Sequence, residues 1–76
     1  MKIHNYTVLI APDEDGGFVV TCPALPGLVT EGETLEEARE MAAEAILGYL
    51  ESLHIDGLPA PPDVRVIVEP VSVQIA

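Results

Sequence analysis

CPALPGLVTEGETLEEA, from Cys22 to Ala38, decides how this chain is built, because strand-type sequence stops and helix-type sequence starts within it. Pro23 and Pro26 each lack a backbone N–H, so a sheet ladder cannot continue through Ala24-Leu25-Pro26-Gly27 and the chain must turn. Leu28-Val29-Thr30-Glu31 then reads as a short third strand, and Gly32 as a bend. Thr34 followed by Glu37 matches a capping box, in which the hydroxyl accepts from the N3 amide and the carboxylate reaches back to the cap amide. A helix is expected to start at Thr34, with Glu36 and Glu37 suiting the positive end of its dipole. Leu25, apolar inside a turn, suits either a plug over the sheet edge or a contact for a partner.

Upstream, Ile3 to Ala11 (IHNYTVLIA) is rich in β-branched and aromatic residues, with Tyr6, Val8 and Ile10 on one face and Thr7, Leu9 and Ala11 on the other. Pro12 to Gly17 supplies turn formers, and Phe18 to Cys22 resumes an extended pattern, so these two strands should pair antiparallel.

Downstream, Leu35, Ala38, Ala42, Ala45, Ile46, Tyr49, Leu50 and Leu53 recur at steps of three and four and form the stripe expected to cover the sheet. Glu36, Glu37, Glu40, Glu44 and Glu51 lie on the opposite arc, a solvated face by default. Leu47 projects roughly 120° from Leu35, among these acids, and is either a single exposed leucine of the ordinary kind or a partner contact. Glu36, Glu40, Glu44, Leu47 and Leu25 are therefore the candidate partner-binding residues. Arg39, at the edge of the stripe, should lay its stem along the core and keep its head in water.

Gly57 and three prolines within His54 to Pro62 end the helix and make a tether. Beyond it Val64, Val66 and Val68 alternate with Arg65, Ile67 and Glu69, which predicts a fourth strand, and Val71, Val73 and Ile75 repeat the pattern after Pro70. This last stretch suits an edge strand or an arm that pairs with another subunit.

Seventy-six residues allow one domain, residues 1–76, burying only about 60% of the surface its unfolded chain exposes. Hydrophobic residues make up 49% of the chain, yet there is one Phe, two Tyr and no Trp, so the core must come from Val, Ile, Leu and Ala. Partner subunits would supply burial that such a core lacks, and a homo-oligomer is expected. The formal charge of −10 repels phosphate backbones, and Lys2, Arg39 and Arg65 are too few and scattered to neutralise them. A basic partner protein is the better electrostatic match, and direct nucleic-acid binding is not expected. Cys22 has no second cysteine to pair with, no charged leader precedes an apolar segment, and no apolar run approaches the roughly 20 residues that span a bilayer. These features point to a cytoplasmic protein without membrane contact.

Little in the chain suits catalysis, and no cofactor is implied. Cys22 sits before a proline at a strand end, and His4 and His54 fall in separate elements without metal-ligand spacing. Asp13, Glu14 and Asp15 lack EF-hand spacing, and Gly16-Gly17 precedes a strand rather than the helix a phosphate loop requires. No catalytic or metal-binding residue is assigned.

Taken together, YTVLIAPDEDGGFVVTCPALPGLVTEGETLEEAREMAAEAILGYLE, from Tyr6 to Glu51, closely resembles the HicB-type antitoxin domain, and the Pro-rich tether and the valine strand after it also look like that family. The resemblance implies an α+β fold of order β-β-β-α-β: a small, mostly antiparallel sheet with one helix packed on a face. This is similar to a truncated ribonuclease H fold without that enzyme's acidic metal site. It implies a non-enzymatic antitoxin that forms homodimers or homotetramers and neutralises a small basic RNA-cleaving toxin of the HicA type by covering its surface and catalytic histidine. Many members add a DNA-binding helix-turn-helix or ribbon-helix-helix module; here only Asp63 to Ala76 follow the tether, so a stand-alone domain without operator binding is expected. Two other readings fit the residues: a self-associating domain with no toxin, and a metal-dependent nuclease drawing on Glu31, Glu69 and Asp13 to Asp15.

Overall fold

A computed structural model of the chain describes residues 2–76. Three strands, β1 (Leu9–Pro12), β2 (Phe18–Thr21) and β3 (Val29–Gly32), are followed by one helix, α1 (Leu35–Ile55). The sheet is antiparallel throughout with β2 in the middle, and the register pairs Ile10 with Val20 and Val20 with Thr30. The class is α+β as expected, and the three strands and the helix follow in the expected order.

The β1–β2 hairpin closes where the glycines stand. Asp13 N–H donates to Gly17 O at 3.0 Å, and Gly16 and Gly17 take φ of 95° and 78°, a region costly for residues with a Cβ. After β2 the prolines turn the chain as anticipated, through Leu25 N–H to Cys22 O at 3.0 Å and Leu28 N–H to Leu25 O at 3.2 Å. This double turn drops Leu25 into the interior, where it has no exposed surface.

The helix starts on Thr34, whose Oγ1 accepts from Glu37 N–H at 3.0 Å. The return bond differs from the expected box by one residue: Glu37 Oε1 accepts from Glu33 N–H at 3.2 Å rather than from the cap residue. It ends in a Schellman motif, with Gly57 at φ 72° donating to His54 O at 3.0 Å and Leu58 N–H donating to Leu53 O at 2.9 Å.

Two joined clusters make the core. Val20, Ala38 and Ala42 pack with Val8, Ile10 and Phe18, while Cys22, Leu25 and Leu28 pack with Tyr6, Val8, Ile46, Tyr49 and Leu50. The helix-face residues are alanines where α1 comes nearest the sheet. Gly32 completes that approach, since a Cβ there would lie 2.7 Å from Ala38 Cα. Leu35, at the first turn of α1, is 40% exposed and stands outside the covered stripe.

Two expected strands need correction. The first is shorter than Ile3 to Ala11: pairing begins at Leu9, because β2 ends at Thr21 and Pro23 turns its chain away, leaving residues 2–8 no strand to pair with on that side. The fourth strand is not formed within the chain, since residues 59–76 carry no regular secondary structure. This arm runs out from the body, giving a radius of gyration of 15.0 Å and extents of 53 × 26 × 19 Å. A compact chain of this length has a radius of about 11 Å. An extended segment with no neighbouring strand has no ladder to join.

Candidate interaction site

α1 packs chiefly on β3 and less on β2, so the β1 side of the sheet's inner face is left open. A groove of about 440 Å³ runs there, between residues 4–8 and one flank of the helix. Its walls are mostly apolar: Tyr6 and Val8 on the strand side, Ala42, Ala43, Ile46, Leu47 and Leu50 on the helix side, with Arg39 at the lip.

Leu47 is 59% exposed and joins this groove to the helix's outer arc. Glu36, Glu40 and Glu44, exposed at successive i, i+4 positions, form one acidic row there. The surface therefore offers a hydrophobic step beside a line of carboxylates, which suits a basic, partly apolar protein surface. Of the five candidate contact residues, these four are on the surface and within one helix. Leu25 is not: its complete burial gives it to the core, as the plug over the sheet, and leaves no surface for a partner.

A second cleft, about 370 Å³, lies by the hairpin turn and is lined by Asp13, Glu31, Glu33 and Glu37 among others. The Glu37 carboxylate is committed to the helix cap. Among the described residues no three His, Cys, Asp or Glu side chains are grouped to hold a metal ion. Cys22 is buried in the core. No helix among the described residues is long and apolar enough to cross a membrane.

A polar clasp missed by sequence reasoning ties the two ends of the fold. Asp63 accepts from Thr7 N–H at 3.0 Å and from Thr7 Oγ1 at 2.7 Å, and Tyr6 OH donates to Pro61 O. The Thr7 backbone N–H, then its hydroxyl, hold the Asp63 carboxyl below its ordinary range. These partners are 56 positions apart, so no local pattern signals them.

A family model described as the HicB-like antitoxin of a bacterial toxin-antitoxin system matches residues 6–72. A UPF0150 protein of Synechocystis is 43% identical over 72 residues, spanning 95% of this chain and 90% of that relative. A UPF0150 protein of Thermoplasma acidophilum is 52% identical over 57 residues, 72% of this chain and 83% of the relative. Antitoxin HicB 1 of Photorhabdus laumondii is 36% identical over 77 residues, covering 96% of this chain but 50% of its own length. The chain thus spans nearly all of one relative and half of another.

Proposed function

Because the chain belongs to the HicB-like antitoxin family of bacterial toxin-antitoxin systems, we propose that it acts in the cytoplasm as a non-enzymatic antitoxin, binding and neutralising a small basic RNA-cleaving toxin of the HicA type. The observation that carries this reading is the acidic row Glu36, Glu40 and Glu44 beside the exposed Leu47, on a chain of net charge −10. Opposite charge accelerates encounter with a basic ribonuclease, and an apolar anchor slows release. Self-association as a homodimer or homotetramer belongs to the same reading, supported by the small aliphatic core and by the apolar arm.

The test is calorimetry and RNA-cleavage inhibition with purified small basic toxins of the HicA type, beginning with any encoded next to this chain's own gene. Binding should weaken as salt rises. Replacing Glu36, Glu40 and Glu44 together by Gln should slow association about tenfold, and Leu47→Ala should weaken affinity by about tenfold through faster release. No binding at low salt by the folded protein would sink the proposal.

A further inference from the structure

Strand alternation leaves the β1 edge with a free ladder. Asp13 N–H bonds Gly17, and Leu9 and Ala11 stand opposite Thr21 and Val19, so the odd-numbered residues of β1 turn their N–H and C=O groups toward β2. Val8 and Ile10 turn theirs outward, to an edge with no strand beside it among the described residues. The side chains alternate without a break from Tyr6 to Ile10, even positions half-buried and odd ones exposed, so the extended edge continues past the formal start of β1. Directly beneath this edge is the uncovered apolar groove. A strand laid along β1 would fill both vacancies at once.

The chain carries a segment of that description. Val64 to Glu69 alternates Val64, Val66 and Val68 with Arg65, Ile67 and Glu69, and spans about 20 Å when extended, close to the length from Tyr6 to Ile10 and the β1 turn. Pro70 then removes the next donor, which ends the segment. Val66 is half-buried, but Ile67 and Val68 are 79% and 81% exposed, and none of residues 64–69 lines their own groove. The clasp explains why. Thr7, an odd position, points its N–H to the β2 side, and Asp63 is held there. The arm therefore leaves from the side of the N-terminal segment opposite the free edge, and Pro61-Pro62 stiffens its departure.

We propose that residues 64–69 are an exchange arm: each adds as a fourth strand to the β1 edge of a second copy, with Val66 and Val68 entering the groove between Val8 and Ala43, in a reciprocal two-fold dimer. Charge supports a second copy over an acidic partner. Val64 to Val68 holds one cation and no acid, and Arg39 at the lip would meet Glu69, so this contact joins two chains of −10 through their least acidic parts. Exchange of an identical element costs little once the arm is already extended. The proposal deepens the self-association named above and does not depend on a toxin.

The test uses the full chain, with light scattering and backbone hydrogen exchange. The expected mass is twice the 8.1 kDa of one chain, with slowed exchange at Val8, Ile10, Val66 and Val68. Added salt should strengthen this dimer by screening like charges, the reverse of its effect on toxin binding, which separates failure of one proposal from failure of the other. Val64→Asp with Val68→Asp, and separately Ala43→Glu, should give monomers with unchanged helical circular dichroism and fast exchange at Val8. Ala43→Cys chains mixed with Val68→Cys chains should form a mixed disulfide. A monomeric wild-type protein overturns the proposal, whether or not its arm is protected. A dimer that survives both the arm and the groove substitutions does so as well.

Discussion

At the scale of single residues, Gly32 carries more of this fold than its composition suggests. It has no side chain, yet it is buried, and its neighbours across the layer are the backbone atoms of Glu37 and Ala38. The Cβ of any other residue would lie 2.7 Å from Ala38 Cα and 2.8 Å from Glu37 C. These are backbone atoms near the fixed start of a helix, so no rotamer change relieves the clash; α1 must lift from β3. Overpacking of this kind costs about 1–3 kcal/mol or more. Gly32→Ala should therefore lower the Tm by at least about 4–8 °C, taking 1 kcal/mol for a domain of this size. Thermal denaturation followed at the helix signal measures it, and an unchanged Tm would show that the approach of α1 to β3 is looser than described.

At the scale of elements, the helix owes its position to caps at both ends. Thr34 accepts the Glu37 N–H and has an extended backbone, φ −123° and ψ 165°. Removing the hydroxyl leaves that donor to water, and Thr34→Ala should cost about 1 kcal/mol; Thr34→Asp should retain stability, which chemical denaturation of the two variants would compare. Such local chemistry is why the strand-to-helix change between Cys22 and Ala38 was legible: prolines, cap and apolar period each act within a few residues. The acidic row was legible too, since helical spacing alone places Glu36, Glu40 and Glu44 together. The length of β1 was not, because it depends on where β2 ends, and Ile3 to Thr7 have strand composition without a strand to pair with. Val64 to Glu69 presents the same difficulty more sharply. Its alternation marks it as strand-forming, but alternation does not name the edge it joins, and within one chain it joins none. The groove beneath β1 was equally hidden, since it arises from the offset of α1 toward β3.

At the scale of the whole molecule, one exposed carboxylate joins the beginning of the fold to its end. The clasp of Asp63 on Thr7, with the Tyr6 hydroxyl on Pro61 O, holds the arm's root beside the N-terminal segment. A carboxyl bonded by the Thr7 N–H and hydroxyl has its pKa lowered in the folded chain from the ordinary 3.8. The contribution to stability is therefore complete above 3.8 and is lost as pH falls below it through the folded value. Carbon-detected titration of the Asp63 carboxyl should give a midpoint below 3.8 in the native protein. Thr7→Val, which removes the hydroxyl and keeps the N–H, should raise that midpoint only partway, because the backbone donor is the larger cause. Full return to 3.8 in that variant would transfer the effect to the hydroxyl, and an unshifted native midpoint would mean that the Asp63 half of the clasp is open in solution, leaving the arm's root to the Tyr6–Pro61 contact.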